Sequence, residues 1–214
     1  MLKFYRTVKG CGQTEIEINK SRFIAYVDQA ASEEAAVAFI EQIKKKHWNA
    51  THNCSAYMVG ENDQHQKADD DGEPSGTAGK PILEIIKKCG LKDTVVVVTR
   101  YFGGIKLGAG GLIRAYGKSA SAGIKEVGII ERQGHTRIGV EIDYTLLGML
   151  ENQLRLQGYI IDDKQFTDKI ILIVLEKLGQ EDVLKQKITD WTAGKVEFNH
   201  AGEVYVDTVI SSQE

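Results

Sequence analysis

What this chain lacks excludes several kinds of protein at the outset. It has no run of 18 apolar residues, so no membrane-spanning helix is expected. Its first residues, Met1-Leu2-Lys3-Phe4-Tyr5-Arg6, hold no apolar signal-peptide core. The three cysteines, Cys11, Cys54 and Cys89, are far apart and form no C-x-x-C pair. Neither a disulfide framework nor a structural zinc site is supported, and a reduced cytoplasm is the expected compartment. His47, His65, His135 and His200 show no metal-ligand spacing. Nucleotide motifs are missing too. Five residues separate Gly111 from Gly117-Lys118-Ser119 where a Walker loop needs four, and the dinucleotide pattern G-x-G-x-x-G is absent. ATP hydrolysis and hydride transfer are therefore not expected, nor is any cofactor.

The net charge of −3 hides an asymmetry. Residues 1–134 carry 19 Lys and Arg against 16 Asp and Glu, a balance of +3, and residues 135–214 carry 8 against 14, a balance of −6. This favours two units with different surfaces, at 1–134 and 135–214. Neither is basic enough for bulk charge to drive nucleic-acid binding, so such binding would rest on a local patch.

Periodicity outlines the elements. Glu15–Ile18 and Arg22–Val27 read as a hairpin around Asn19-Lys20-Ser21. Ser32 with Glu33 and Glu34 starts a helix whose buried side is Ala35, Val37, Ala38, Phe39, Ile40 and Ile43. Lys44-Lys45-Lys46 ends it, as suits the negative end of the helix dipole, although a binding patch is the other reading. A strand over Asn53–Val59 precedes a polar, loop-like stretch from Glu61 to Lys80, and Pro81 suits the first turn of a helix running to Lys88. Val95–Thr99 is a strand, a helix covers 111–127, and a short strand covers Ile129–Arg132. Residues 135–206 then follow the order βαββαβ: strand Thr136–Asp143, a helix with Leu146, Leu147, Leu150, Leu154 and Leu156 on one face, ended by Gly158, strands Tyr159–Ile161 and Lys169–Leu175, helix Glu181–Trp191, and strand Val196–Val206. That order is the split βαβ, ferredoxin-like arrangement.

Two segments are chemically unusual. The first runs from Arg100 to Arg114 and holds five glycines between Gly103 and Gly111. Glycine is costly in chain entropy, so the cluster implies tight turns or close approach of another backbone or an anion. A strand leading through glycines into a helix start builds anion sites from backbone N–H groups, and Arg100, Lys106 and Arg114 lie in or beside this one. A plain tight turn is the other reading. Replacing Gly104 or Gly110 by Val should disrupt the loop. The second segment is Asp69-Asp70-Asp71-Gly72-Glu73-Pro74-Ser75-Gly76-Thr77-Ala78-Gly79-Lys80-Pro81, with four carboxylates in five residues. They suit either a hard cation or the N-terminal charge of the next helix, although the EF-hand spacing fails. Ser75 and Thr77 would donate to a phosphate or cap the helix near Pro81. His52 stands two residues before Cys54 on the same strand face; a nucleophilic pair is conceivable, but a buried cysteine is the default.

Taken together, Lys20-Ser21-Arg22-Phe23, Ala50-Thr51-His52-Asn53-Cys54, Asp70 through Gly79, and Arg100-Tyr101-Phe102-Gly103-Gly104 running on to Arg114-Ala115-Tyr116 resemble the IMPACT family, in its bacterial two-domain form. The resemblance implies an α+β protein: an N-terminal domain like the second domain of ribosomal protein S5, then a ferredoxin-like domain similar to modules of elongation factor G. In eukaryotes the family acts in translational control, opposing a kinase that senses amino-acid starvation, a pathway that bacteria lack. The first functional reading is thus a non-enzymatic accessory factor or regulator of translation, contacting RNA or a ribosome-associated protein, with no membrane partner and no DNA specificity. Arg22, Arg100, Lys106 and Arg114 would hold phosphate, Gly103, Gly104 and Gly110 would expose backbone, and Tyr101, Phe102 and Tyr116 would be available for stacking. A second reading is an enzyme on a small phosphorylated or nucleotide-like ligand, using His52, Asp70, Asp71, Glu73, Ser75 and Thr77, which requires the two loops to share a cleft. A third is a protein-only interaction module.

Overall fold

The computed structural model describes residues 1–210 and divides them into two compact units, one built on Tyr5–Glu131 and the other on Met1–Phe4 with Arg132–Asp207.

The first unit contains β1 (Phe4–Val8), β2 (Gly12–Ile18), β3 (Ser21–Gln29), α1 (Glu33–Lys46), β4 (His52–Val59), β5 (His65–Asp69), α2 (Gly79–Lys88), β6 (Thr94–Tyr101) and α3 (Gly108–Val127). Strands β2-β3-β6-β4-β5 form one antiparallel sheet in that order. Its central strands are near-continuous apolar runs because both faces are covered. On one face Phe23, Ala25, Val27, Cys54, Ala56, Val96 and Val98 pack with Ile82 and Ile86 of α2 and Leu112, Tyr116 and Ile124 of α3. On the other, Ile24, Tyr26, Tyr57, Val95 and Val97 pack with Ala36, Ile40 and Ile43 of α1. Alternation along each strand decides which face a residue joins, and this divides the candidate site residues below. Ser32 caps α1 as expected, its hydroxyl accepting from the Ala35 N–H at 3.2 Å. The expected loop over 61–80 instead contains β5, whose side chains are mostly exposed. Helix α3 begins at Gly108, three residues earlier than the periodicity places it.

In the second unit lie β7 (Ile129–Ile142, from Arg132 onward), a 3-10 turn at Tyr144–Leu146, α4 (Leu147–Leu156), β8 (Ile160–Phe166), β9 (Ile170–Lys177), α5 (Glu181–Trp191) and β10 (Glu197–Ile210, as far as Asp207). The two short strands expected at 129–132 and 136–143 are a single strand. Strand β7 belongs to a five-stranded sheet in the order β1-β7-β9-β8, and β10 also pairs with β7, which gives β10-β7-β9-β8 among the strands of this unit. Leu150, Leu154, Leu184 and Ile188 of the two helices pack on Ile138, Val140, Ile142, Ile170, Leu172 and Val174. The architecture is thus α+β in two units. Among the described residues, no helix is long and apolar enough to cross a membrane.

Candidate ligand cleft

The two unusual loops meet at one end of the first unit's sheet. A cleft of about 380 Å³ is lined there by Thr51, His52, Glu73, Pro74, Arg100, Phe102 and Lys106 and by the start of α3. Its volume is within the range of small-ligand sites.

The floor of the cleft is a buried ion pair. Arg100 is 5% exposed and Glu73 8%. The Arg100 Nη1–H donates to Glu73 Oε1 at 2.6 Å, and the same oxygen accepts from the Tyr116 hydroxyl at 2.7 Å. The guanidinium lies 5.5 Å from the ring centres of Phe23 and Phe102, a distance suited to cation–π attraction. His52 Nε2 stands 3.8 Å from Glu73 Oε2, while its Nδ1 hydrogen-bonds the Asp71 carbonyl at 2.8 Å. Two expectations change here. Arg100 is not a free cation awaiting phosphate, because its charge is matched by Glu73. Tyr116 is no stacking platform: it is fully buried, and burial pushes its hydroxyl well above the ordinary tyrosine range.

The other carboxylates of the acidic loop hold the loop itself. Asp70 Oδ1 accepts from the N–H groups of Ala78 at 3.0 Å and Gly79 at 2.8 Å, and its Oδ2 from Gly76 at 2.7 Å. Asp70 is therefore the N-terminal cap of α2, supplied from nine residues upstream. Burial raises its carboxyl, but the three N–H donors outweigh that and leave it below the usual carboxylate range. The cap expected from Ser75 or Thr77 is not made by either. Thr77 donates to the Pro74 carbonyl at 2.6 Å, Ser75 is exposed, and no side chain of the helix start caps it. Asp71, at φ +46°, accepts from the Asn53 N–H at 2.6 Å and pairs with Lys44 at 2.9 Å, and Lys44 also reaches Asp69 at 3.4 Å. The end of α1 thus clamps the acidic loop. Among the described residues no group of His, Cys, Asp or Glu is arranged to hold a metal. Cys54 is buried, its thiol donates to the Asp70 carbonyl at 3.0 Å, and burial raises its pKa far above a reactive range. The structure therefore supports no Cys54–His52 nucleophilic pair.

The glycine loop serves several ends. A Cβ on Gly103 would sit 2.0 Å from the Lys20 carbonyl oxygen, so its glycine is required for close approach. Gly104 has φ +85°, a conformation glycine adopts without strain. Gly110 departs from expectation. It lies within α3, where an added Cβ meets only the Arg114 Nη1 at an ordinary 3.7 Å. Helix α3, 20 residues long, begins with no side-chain cap and no acidic residue in its first turn. Gly108, Ala109 and Leu112 at its start line the cleft with exposed Lys106 beside them, and Arg114, outside that lining, reaches back over Gly110.

The predicted phosphate patch is split by the sheet. Arg22 pairs in register with Tyr101, and Phe23 with Arg100, so Arg22 and Tyr101 share the face of α1 while Arg100 points to α2 and α3. Arg22 is committed to Glu15 through two hydrogen bonds of 2.8 and 2.9 Å. The Tyr101 hydroxyl bonds His47 Nδ1 at 2.9 Å, whereas Phe102 is 47% exposed at the cleft. The cleft thus gathers His52, Glu73, Arg100, Phe102 and Lys106, adds Thr51, and leaves Arg22, Tyr101, Gly103, Gly104, Gly110, Arg114, Asp70, Asp71, Ser75 and Thr77 outside its lining.

The fold and cleft define a two-unit α+β protein built around an acidic loop, a glycine loop and a long uncapped helix, and comparison with known proteins identifies its family. Residues 19–124 match the model of the Impact N-terminal domain, and residues 140–195 match a domain of unknown function, DUF1949. The chain is 48% identical over 211 residues to IMPACT family member YvyE of Bacillus subtilis (strain 168), covering 99% of this chain and 97% of that protein. It is 34% identical to IMPACT family member YigZ of Escherichia coli (strain K12), covering 85% and 90% respectively. Protein IMPACT of Rattus norvegicus is 37% identical over 86 residues, 35% of this chain and 26% of that one. A crystal structure of a hypothetical protein aligns over the whole of both chains with a TM-score of 0.61 and 28% identity. This chain belongs to the IMPACT family.

Proposed function

We propose that this protein is a non-catalytic accessory factor or regulator of translation that binds RNA through the cleft at the start of α3, working in the cytoplasm. One observation carries the reading. The uncapped N-terminus of a 20-residue helix, Lys106 and the exposed face of Phe102 meet in one cleft. A helix N-terminus with an adjacent cation attracts a phosphate. An aromatic face beside it takes an unpaired base. The remaining acidic groups are consumed by Asp70 capping, the Lys44 clamp on Asp71 and the Arg100 pairing of Glu73, which favours binding over metal-assisted turnover. In the same reading the first unit is an S5 domain 2-like fold over residues 1–134. The second, over 135–214, is ferredoxin-like, in keeping with its β10-β7-β9-β8 order.

The test is co-sedimentation with ribosomes, and anisotropy with labelled single-stranded RNA, at about 50 and 200 mM salt. Lys106→Ala/Arg114→Ala is expected to weaken binding and to lower the log–log salt slope by about 1.4, since each lost phosphate contact on a single strand removes about 0.7. Unchanged affinity and slope would refute the assignment. The cleft volume of about 380 Å³ favours one further reading, a small phosphorylated ligand. In that case free mononucleotides raise Tm and ribosomes do not bind.

A further inference from the structure

Trp48 is 83% exposed, more than any other large apolar side chain among the described residues. Tryptophan gains most from burial, so a tryptophan held in water needs a reason. Looseness of the chain is not that reason, because the short connection from α1 to β4 is tied at nearly every residue. His47 is bonded through both ring nitrogens, to the Tyr26 hydroxyl at 2.6 Å and the Tyr101 hydroxyl at 2.9 Å. Asn49 Oδ1 accepts from Tyr101 at 3.3 Å, and the Ala50 N–H donates to the His47 carbonyl at 3.0 Å. The Thr51 N–H donates to the Arg100 carbonyl at 2.9 Å, and the Thr51 hydroxyl accepts from the Phe102 N–H at 3.0 Å. A built loop therefore presents the Trp48 ring outward.

Its surroundings point to an anionic partner. Lys45 and Lys46 precede it and are exposed, and Lys46 Nζ lies 4.7 Å from the centre of the Tyr26 ring. Trp48 is also near the cleft. Thr51 lines the cleft, and three residues of chain span at most about 10 Å. Exposed Trp48 is thus carried by the short, tied loop whose last residue, Thr51, is bonded to exposed Phe102, with Lys106 in the cleft lining and Lys45 and Lys46 just before Trp48.

We propose that Trp48 is a second base-stacking platform, so that the ligand of this surface is single-stranded RNA running from the α3 cleft across the 47–51 loop. The inference rests on the RNA-binding reading above and narrows it. A duplex stacks its bases on one another and presents no free face to Trp48, whereas an unpaired strand presents one at every nucleotide. An acidic protein segment would answer the lysines but has no use for two separated aromatic faces.

The chain has two tryptophans, so Trp191→Phe leaves Trp48 as the sole tryptophan, read by excitation selective for indole. That variant is titrated with oligo(U), with an RNA duplex of equal length, and with poly-glutamate. Oligo(U) is expected to quench Trp48 emission saturably, with duplex and poly-glutamate far weaker. By anisotropy, Trp48→Ala is expected to weaken oligo(U) binding roughly 5- to 100-fold and Trp48→Phe to restore most of it, with thermal melts unchanged because the side chain is exposed. If oligo(U) binds, depends on Lys106 and leaves Trp48 emission unmoved, the Trp48 assignment is wrong while the cleft reading stands. Equal quenching by poly-glutamate assigns the surface to acidic protein instead and overturns the proposal. Absence of any oligo(U) binding by the parent protein overturns both.

Discussion

The ion pair on the cleft floor is buried, so the loss of either partner is expected to be costly. The side chains of Glu73 and Arg100 are 3% and 6% exposed. Glu73→Leu would leave a guanidinium buried without its counter-charge, which costs about 3–5 kcal/mol. It would also strip the Tyr116 hydroxyl of its acceptor, and an unmet buried donor costs about 1–3 kcal/mol. Both losses pass through one carboxylate oxygen and are not additive, so a total of about 4–5 kcal/mol is expected. Against a typical domain stability of about 5–15 kcal/mol that approaches unfolding. The informative measurement is therefore a double-mutant cycle in urea, followed by circular dichroism. Arg100→Met alone should be strongly destabilising because it strands the carboxylate. Glu73→Leu/Arg100→Met removes both charges, together with the Arg100 Nε donor that already lacks a partner, and should recover at least about 2 kcal/mol of the summed single losses. Purely additive losses would refute the reasoning, since they would mean that the pair is solvated and carries no coupling.

Two further predictions concern the loops. Asp70→Ala should lower stability by about 2–3 kcal/mol, or about 5–10 °C in Tm. Because the folded Asp70 carboxyl lies below its unfolded value of about 3.9, its contribution is present above that pH and is lost as pH falls through the folded value. The gap between parent and variant should thus be constant above about pH 5 and close in acid; a gap that widens in acid would contradict the capping role. Gly103→Ala should destabilise more than Gly104→Ala, for which about 1–2 kcal/mol is expected from its left-handed backbone. The Gly103 methyl would meet the Lys20 carbonyl at 2.0 Å, and neither backbone can yield cheaply; urea melts that reverse the order would show that the contact relaxes.

Much of the fold is legible in the chain. Phe23–Val27, Cys54–Val59 and Val95–Val98 read as strands because burial on both faces makes them apolar throughout. Strand β5 is not legible, because its largely exposed side chains carry no alternation and only backbone pairing with β4 makes it a strand. The acidic and glycine loops stand out by composition, yet their partnership does not. Glu73 and Arg100 are 27 residues apart, and only the sheet register shows that Arg100 and Arg22 point to opposite faces. The Asp70 cap lies too far upstream of α2 for any local capping pattern to reveal it. Lys44 reads locally as a helix end, and its grip on Asp71 depends on a tertiary contact. Trp48 gives no sequence signal of exposure, since an aromatic beside a helix is ordinarily core.

The most direct test of the central claim is an amide NMR titration of the protein with a short single-stranded RNA. If the α3 cleft holds its phosphate, the amides of Phe102, Lys106 and Gly108–Gly111 shift first and together, and the shifts collapse in Lys106→Ala/Arg114→Ala. Saturable shifts confined to other surfaces, or none at all at low salt, would contradict the account.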